Sequence, residues 1–409
     1  MGLIVQKFGG TSVGSIERIQ NVANRVIEEK SNGNEVVVVV SAMGKTTDQL
    51  VTMANEISAN PSRREMDMLL TTGEQVTISL LAISLIEKGF DTLSLTGWQA
   101  GIETEAVHGN ARILNIDESK IKEQLEKGKI VIVAGFQGVT KDGSITTLGR
   151  GGSDTTAVAL AAALQADKCD IYTDVTGVFT TDPRYVKDAR QLLSVSYDEM
   201  LELANLGAAV LHPRAVEYAK NYNVALEVRS SMERMRGTII EEEAKMEQNL
   251  VVRGIAFEDQ ITRVSILGLP NSITGLSTIF TTLASSHINV DIIIQSTTAD
   301  QTNNLSFSIK TADLQGTLDV LESNKKLLKY KKVETETGLA KVSIVGSGMV
   351  SNPGVAAEMF EVLASSDITV KMVSTSEIKV STVIDDMKMV QAVEELHSAF
   401  ELSRVPVNL

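Results

Sequence analysis

The pattern of apolar and polar positions changes repeatedly along the first 245 residues. The run at 35–42 is apolar almost throughout, which is typical of a strand buried on both faces of a parallel sheet. Similar runs occur at 129–135 and 169–175. Between these runs, apolar residues recur at helical spacing and predict helices at 16–30, 48–59, 63–88, 117–127, 153–166 and 197–205. The alternation predicts an α/β domain, a three-layer αβα sandwich with a mainly parallel sheet.

The later part of the chain contains an internal repeat. Residues 263–268 return in similar form at 341–346, and residues 288–293 return at 368–373. Each unit is predicted to run strand, glycine loop, helix, strand, strand, helix. The predicted helices are 274–286 and 312–323 in the first unit, and 355–366 and 386–399 in the second. The repeat predicts two α+β modules, which either bind a small ligand or are purely structural.

One predicted strand has no partner near it in the sequence. The first unit has its own last strand, predicted at 329–337, whereas the second unit has none after its final helix. We therefore expect the apolar segment 250–257 to complete the second unit, so that the two modules are interleaved. The predicted division is a first domain at 1–245, a linker and strand at 246–262, and modules at 263–337 and 338–409.

Composition narrows the class of protein. The chain has 409 residues, 43% hydrophobic and 22% charged, which fits two or three globular domains. Its net charge of −14 argues against a nucleic-acid partner. We find no signal peptide and no apolar run of the roughly 18 residues that a membrane span needs. These observations predict a cytoplasmic protein that neither spans nor binds a membrane.

Cysteine and histidine usage limits the chemistry. The single cysteine, Cys169, rules out a disulfide framework and a thiolate metal site. The four histidines are scattered, which argues against a zinc site. We therefore predict no resident metal held by protein ligands alone.

The first strand leads directly into a glycine-rich turn. Lys7 and Phe8 are followed by Gly9-Gly10-Thr11-Ser12, and a helical pattern begins near Ile16. Glycines let a ligand approach the backbone, and the N–H groups at a helix N-terminus favour a phosphate. The Lys7 ammonium could reach the same anion. The residues fit a phosphate site and an ordinary strand–turn–helix equally well.

A second glycine-rich loop, at 149–156, also leads into a helix. Arg150 offers a bidentate fork for a carboxylate or phosphate, and Ser153 or Asp154 opens the helix. The other interpretation is that Asp154 is only an N-cap. This loop and the turn after Lys7 both follow strands, and ligands of parallel α/β sheets bind beyond the carboxyl ends of the strands.

Two further polar residues lie where apolar ones are expected. Gly73 and Glu74 interrupt an apolar helix, and a buried Glu74 needs a cationic partner, either a substrate ammonium or a structural arginine. His212 precedes Pro213, where it either satisfies a local carbonyl at a helix boundary or takes part in catalysis.

Taken together in order, these motifs resemble the aspartokinases of the amino acid kinase superfamily, and most closely the bacillus-type, lysine-sensitive branch. The residues that carry the resemblance are 7–12, 40–43, 72–74, 135–136, 149–154, 172–175 and 181–184. The repeated unit resembles paired ACT modules, which are ferredoxin-like. The resemblance implies ATP-dependent phosphorylation of the β-carboxylate of L-aspartate to 4-phospho-L-aspartate. This is the first step of lysine, threonine, methionine and diaminopimelate biosynthesis.

The resemblance also implies roles for residues. Lys7, Arg150 and Asp154 would be catalytic, with ATP and Mg²⁺ as cofactors. Glu74 and Arg150 would hold the substrate ammonium and α-carboxylate, and Asp154 would organise Lys7. The implied nucleotide-binding residues are Lys7, Phe8, Gly9, Gly10, Ser41, Thr173, Asp174, Phe179, Asp182 and Arg184. The implied substrate-binding residues are Thr47, Glu74, Arg150, Gly151, Gly152 and Ser153.

Paired ACT modules imply an amino-acid effector, here lysine, alone or together with threonine. The candidate effector-binding residues are Asn271, Ser272, Thr274, Asn289, Asp291, Met349, Val350, Asn352, Thr369, Ser376 and Glu377. Edge strands of such modules pair with other chains, so we expect a homo-oligomer through the ACT modules. A shorter chain starting at Met246 would instead give an α2β2 assembly.

Two alternative functions stay open at this point. The chain could be another amino acid kinase, acting on glutamate, acetylglutamate or a nucleotide, although residues 7–12 and the paired modules disfavour this. It could also be a non-catalytic amino-acid sensor. The joint presence of Lys7, Arg150 and Asp154 argues against that function.

Overall fold

The computed structural model describes residues 2–206, 210–247, 250–270 and 273–404. The strands up to residue 241 are β1 (Leu3–Phe8), β2 (Glu35–Val40), β3 (Thr92–Leu95), β4 (Ile102–Thr104), β5 (Ile113–Ile116), β6 (Ile130–Ala134), β7 (Gln137–Val139), β8 (Ile145–Thr147), β9 (Lys168–Thr173), β10 (Ser194–Ser196), β11 (Leu226–Ser230) and β12 (Thr238–Glu241). The helices in this part are α1 (Ile16–Ser31), α2 (Thr46–Ile57), α3 (Arg63–Leu70), α4 (Thr72–Glu87), α5 (Ser119–Glu126), α6 (Gly152–Leu164), α7 (Tyr197–Asn205) and α8 (Pro213–Tyr222).

The largest sheet has the order β10-β12-β11-β9-β1-β2-β6-β3 and is parallel except for the β11–β12 pair. Strand β2 shows why this sheet is buried on both faces. Val36 and Val38 pack with α1 and α4 on one face, whereas Val37 and Val39 pack with α6 and α8 on the other. This arrangement confirms the predicted αβα sandwich.

A smaller sheet of order β5-β4-β7-β8 lies beside the main one. Its strand β8 ends at Thr147, two residues before the second glycine loop. The loop and the small sheet are therefore continuous in the chain.

The helix predicted at 63–88 is two helices, α3 and α4, which separate at Thr71. Gly73 consequently lies in the first turn of α4 instead of mid-helix. A Cβ at Gly73 would come within 2.8 Å of the Ala42 Cβ, so glycine here allows α4 to approach the loop after β2. The stretch 63–87 is long and apolar enough to cross a membrane, but 44% of its most apolar window is buried, with Leu81 and Leu85 in the core.

The second half of the chain adds strands β13 (Gly254–Pro270), β14 (Ile293–Thr297), β15 (Thr302–Lys310), β16 (Lys332–Val345), β17 (Met372–Thr375) and β18 (Lys379–Asp385). Its helices are α9 (Ile273–Ser285), α10 (Leu314–Ser323), α11 (Lys325–Leu328), α12 (Val355–Ser365) and α13 (Met389–Ala399). The strands form one antiparallel sheet of order β14-β15-β13-β16-β18-β17.

Strands β13 and β16 each extend through both repeat units. Residues 254–258 pair with 341–345, whereas 261–270 pair with β15 and, from Ile261 to Leu267, with 332–339 of β16. Val252 and Ile255 pack in the core beneath α12 and α13. The strands predicted separately around 329–337 and 341–346 are a single strand, β16. The chain continues through Gly338 at φ 71°, and the pairing with β13 shifts register near this point.

Candidate functional site

Lys7 and Asp154 form an ion pair at the carboxyl edge of the main sheet. The Lys7 Nζ lies 2.6 Å from the Asp154 Oδ1, and both side chains are nearly buried, at 11% and 12% exposure. Lys7 comes from the end of β1, and Asp154 comes from the first turn of α6, where the helix dipole favours a carboxylate. The N-cap of α6 is Gly151, so Asp154 is not merely a helix cap. The ion pair therefore places an ammonium group at the carboxyl edge of the main sheet.

The turn after Lys7 is packed closely against the loop after β2. A Cβ at Gly10 would lie 2.9 Å from the Ala42 carbonyl oxygen, and Gly44 N–H donates to the Gly10 carbonyl at 3.0 Å. A Cβ at Gly9 would lie 3.4 Å from the Lys7 Nζ. Glycine at position 10 therefore lets the two loops approach each other. Glycine at position 9 leaves one side of the Lys7 ammonium uncovered.

A cavity of about 260 Å³ opens beside this ion pair. It brings together predicted residues from four separate segments of the chain. Its lining consists of Lys7, Gly10, Ser41, Ala42, Gly44, Thr47, Glu74, Phe136, Gly149, Arg150, Gly151, Gly152, Ser153 and Asp154. Sequence reasoning assigned no site role to Ala42, Gly44, Phe136 or Gly149. Phe136 has a positive φ of 71°, a backbone conformation that could not be predicted from the sequence.

Glu74 reaches this cavity from α4 with one carboxylate oxygen unused. Its Oε1 accepts the Ala42 N–H at 3.0 Å, and the residue is 3% exposed. Within the described residues, its Oε2 has no hydrogen-bond partner and no lysine or arginine pairs with it, so a structural arginine is not the partner that burial requires. Burial raises the pKa of Glu74 to about 8. The site thus offers an unpaired acidic group to a cation.

Arg150 lies on the glycine loop, and the backbone conformation of that loop determines where its side chain begins. Gly149 and Gly151 have φ values of 77° and 68°, which favour glycine. In the part of the chain that the structure describes, no ion pair or hydrogen bond engages the Arg150 guanidinium, and the side chain is exposed. It is free to meet an anion that enters the cavity.

The start of α8 closes one side of this loop. A Cβ at Gly151 would lie 2.2 Å from the His212 Cβ, and the Arg214 Nη1 donates to the Leu148 carbonyl at 3.1 Å. His212 is the N-cap of α8, and its Nδ1 accepts the Arg214 N–H at 3.3 Å. It therefore satisfies an N–H group and not the local carbonyl that we expected. Burial lowers the pKa of His212, so the neutral ring required for this bond is favoured.

The residues predicted to hold the nucleotide divide into two groups. Lys7, Gly10 and Ser41 line the cavity. A second group lies at or after the end of β9, next to β1 in the sheet, and does not line the cavity: Thr173, Asp174, Phe179, Asp182 and Arg184. Phe8 stacks on Tyr172 in the core, with ring centroids 4.5 Å apart, so only its backbone is available. The Thr173 Oγ1 donates to Asp174 at 3.1 Å, and the hydrogen bonds from Arg184 lower the pKa of Asp182. Phe179 is half-buried on the same loop.

Several candidate effector residues are engaged within the second half of the chain. Asn271 and Ser272 lie outside the described residues, as does the side chain of Thr274. Asp291 pairs with the buried Lys341, which also lies 2.9 Å from Glu258. The remaining candidates are mostly exposed or half-buried: Asn289, Met349, Val350, Asn352, Thr369, Ser376 and Glu377.

A buried carboxylate joins the two halves of the chain. The Glu199 Oε1, on α7, accepts the backbone N–H and the hydroxyl of Ser347 at 2.9 and 2.7 Å. It also pairs with the Arg253 Nε at 3.2 Å, with both side chains at or below 5% exposure. Ser347 belongs to the glycine loop at 346–352, part of the predicted effector site. Sequence reasoning missed Glu199, because its two partners are far away along the chain.

Models of known families match most of the chain. The model of the amino acid kinase family matches residues 2–230, and a model of the ACT domain matches residues 342–400. The chain is 77% identical to an aspartokinase of Bacillus sp. (strain MGA3), over 98% of both chains. It is 73% identical to aspartokinase 2 of Bacillus subtilis (strain 168), over 99% of both chains.

Solved structures agree with this similarity. The structure of E. coli aspartokinase III in complex with aspartate and ADP, in the R-state, has a TM-score of 0.80 and 27% identity, covering 97% of this chain and 99% of that one. The structure of the same enzyme in complex with lysine and aspartate, in the T-state, has a TM-score of 0.77, also with 27% identity and the same coverage.

Proposed function

The chain belongs to the amino acid kinase family, among its aspartokinases, and from this premise we propose that the Lys7–Asp154 cavity is where it phosphorylates L-aspartate. The observation that carries the proposal is the placement of an ammonium, an unpaired buried acid and an unpaired guanidinium around one small cavity. These three groups are complementary to an amino acid whose side chain receives a phosphoryl group.

We assign the amino-acid end of the substrate to Glu74 and Arg150. Glu74 takes the α-ammonium, which supplies the cation that its buried carboxylate lacks. Arg150 takes the α-carboxylate, since a guanidinium can bind both carboxylate oxygens. Thr47 and Ser153 line the same cavity and supply hydroxyls. The β-carboxylate is then directed towards Lys7.

Lys7 stabilises the charge that develops during transfer. An oxygen of the β-carboxylate bonds to the γ-phosphorus of ATP while the bond from that phosphorus to the β–γ bridging oxygen breaks, and ADP leaves. The carboxylate is already ionised at neutral pH, so no strong base is needed. The protein must instead offset repulsion between two anions, and the Lys7 ammonium next to the Gly9–Gly10 turn does so. Asp154 orients that ammonium.

The nucleotide is proposed to lie beyond β9, along Thr173, Asp174, Phe179, Asp182 and Arg184. Mg²⁺ binds one or two carboxylates together with substrate phosphates. The described residues contain no cluster of three or more acidic, histidine or cysteine side chains, which suits an ion held mainly by ATP. The exposed Asp174 is the carboxylate available to it. When bound, the ion neutralises charge on the β- and γ-phosphates.

Trapping the acyl phosphate with hydroxylamine tests this function. The purified chain is given ATP, Mg²⁺ and L-aspartate, and hydroxamate formation is followed, with L-glutamate as the control substrate. We expect hydroxamate from aspartate alone. Absence of hydroxamate from well-folded protein would favour the amino-acid sensor, and product from glutamate would favour a different amino acid kinase.

The pH dependence of aspartate binding should follow Glu74. Because its pKa is raised to about 8, the group is mostly neutral at pH 7 in the free protein and must lose a proton to hold an ammonium. We therefore expect KM for aspartate to fall as pH rises from 6 to 8, by up to about tenfold per pH unit. Glu74→Gln should raise KM at all pH values and abolish the slope. A slope that survives in Glu74→Gln would assign the titration to another group.

We propose that the paired modules bind lysine, alone or together with threonine, and inhibit the kinase. The lysine complex of E. coli aspartokinase III supports this effector. The Glu199–Ser347 contact supports a route, because it ties the predicted effector loop to α7 of the kinase domain. Feedback of this kind requires a coupling free energy of roughly 1–3 kcal/mol between the two sites.

Ser347→Ala should weaken this feedback. The variant loses the hydrogen bond from the Ser347 hydroxyl to Glu199 but keeps the one from the backbone N–H. The lost bond contributes about 0.5–1.5 kcal/mol to the contact. We expect the lysine concentration for half-inhibition to rise by roughly 2–10-fold at unchanged uninhibited kcat. Ser351→Ala is the control, because the hydrogen bonds of the Ser351 hydroxyl to described residues stay within the same loop, to the Gly348 carbonyl and the Asn352 amide. Equal inhibition of both variants would contradict the route.

We also propose a cytoplasmic homo-oligomer assembled through the modules. Strand β14 is at one edge of the six-stranded sheet, and its Ile293 is 51% exposed. Such an edge can pair with another chain. Light scattering on the purified chain, compared with a Met246→Leu variant, distinguishes this assembly from an α2β2 form that uses an internal start at Met246.

A further inference from the structure

We infer that Asp67 is a positioning residue for aspartate recognition, because it fixes the loop that carries Arg150. Asp67 lies on α3, is fully buried and does not line the cavity. The inference rests on the proposed role of Arg150 in binding the substrate α-carboxylate.

The Asp67 carboxylate joins three parts of the chain. It accepts the Thr147 hydroxyl at 2.6 Å and the Gly109 N–H at 3.1 Å, and it lies 2.7 Å from the His108 Nδ1. A buried carboxylate is costly unless its oxygens are satisfied, and these groups satisfy both of them. Asp67 therefore holds α3, the turn at 108–110 and the end of β8 in one arrangement.

Two of these partners lie directly against the glycine loop. Thr147 precedes Gly149 by two residues, and its carbonyl accepts the Ala111 N–H at 2.9 Å. A Cβ at Gly149 would lie 2.6 Å from the Asn110 Oδ1 and 3.1 Å from the Gly109 carbonyl oxygen. There is no room for a side-chain carbon between the turn and the loop, so we expect a shift of the turn to shift the loop.

The backbone of the glycine loop sets where the Arg150 side chain begins. Within the described residues no ion pair or hydrogen bond holds the guanidinium in addition. The start of α8, through His212 and Arg214, holds one side of the loop. Asp67, through the turn at 108–110, holds the other side.

Asp67→Asn separates this role from a role in folding. The amide has almost the same shape as the carboxylate, but it offers one acceptor oxygen instead of two and turns an NH₂ towards groups that donate. The negative charge and one of the two acceptor oxygens are lost, so the hold of residue 67 on its three partners is weakened. We expect KM for aspartate to rise by about tenfold, while kcat and KM for ATP change by less than about twofold.

Two further variants provide an independent test. Thr147→Val removes the hydroxyl that bonds Asp67 and should raise KM for aspartate in the same way, whereas Thr147→Ser should restore it. Asp142→Asn is the matched control, since Asp142 is exposed in the turn between β7 and β8 and, among the described residues, its side chain hydrogen-bonds to Thr140 and Ser144. It should leave all three kinetic constants unchanged.

The possible outcomes are distinct. An unchanged KM for aspartate in Asp67→Asn, with a raised KM in Arg150→Lys, would overturn the positioning role and leave the proposed function intact. An unchanged KM in Arg150→Lys would overturn the proposed role of Arg150 itself. A parallel loss of kcat, ATP affinity and thermal stability in both Asp67→Asn and Thr147→Val would show a purely structural role and overturn the inference.

Discussion

Replacing Lys7 with alanine is expected to lower kcat by about 10²–10³-fold and to leave KM for aspartate within about threefold. The reason is that, in the proposed reaction, the Lys7 ammonium faces the charge that develops on the transferred phosphoryl group, whereas Glu74 and Arg150 hold the amino-acid end. The loss also leaves the nearly buried Asp154 without its cation. Hydroxamate formation at saturating ATP and aspartate measures the effect.

Lys88→Ala is the matched control for this variant. Lys88 is exposed at the end of α4 and is remote from the cavity lining. Its removal should leave kcat unchanged. A kcat for Lys7→Ala equal to that of the control would remove Lys7 from the transfer step, and a large rise in KM for aspartate with normal kcat would reassign it to substrate binding.

Replacing Glu199 with alanine should destabilise the contact between the kinase domain and the second module by about 3–5 kcal/mol. The variant leaves the Arg253 guanidinium buried without its carboxylate and takes the acceptor from both donors of Ser347. The midpoint of denaturant unfolding, followed by a probe on each half, measures the loss. Because the chain has several domains, the two probes need not coincide.

Asp198→Ala controls for removal of a carboxylate from the same helix. Asp198 pairs with Lys220, and their side chains are 56% and 47% exposed, so its loss should cost at most about 1 kcal/mol. The double variant Glu199→Leu/Arg253→Met removes both charges and should recover much of the stability. Equal effects of Glu199→Ala and Asp198→Ala would mean that the buried pair contributes nothing to the contact.

Much of the candidate site could be predicted, because parallel strands end at the same edge of a sheet. The apolar run of β2 identified the sheet, and the glycines after Lys7 and around Arg150 identified two loops at that edge. The meeting of Lys7 and Asp154 then follows from topology. Their roles in the reaction come from the resemblance and stay a prediction.

The parts that could not be predicted depend on contacts between distant segments. Gly73 and Glu74 marked an interruption in the sequence, but no local pattern showed that two helices separate at Thr71 or that Gly73 lies against Ala42. The single strand β16 was divided in the prediction because the internal repeat assigned 329–337 to the first unit and 341–346 to the second, whereas cross-strand pairing continues past Gly338. Asp67 was likewise hidden, since an acidic residue on a short helix usually faces solvent.

Strands β13 and β16 have a consequence for how the C-terminal half can be cut. A protease cleaving near residue 260 or 338 would sever a strand that hydrogen-bonds in both modules, so no cut there releases one intact module. We therefore expect limited proteolysis to leave the two modules together as one fragment. In gene fusions the two modules should likewise occur together. A polypeptide beginning at Met246 would still contain every strand of the six-stranded sheet, the first of which begins at Gly254.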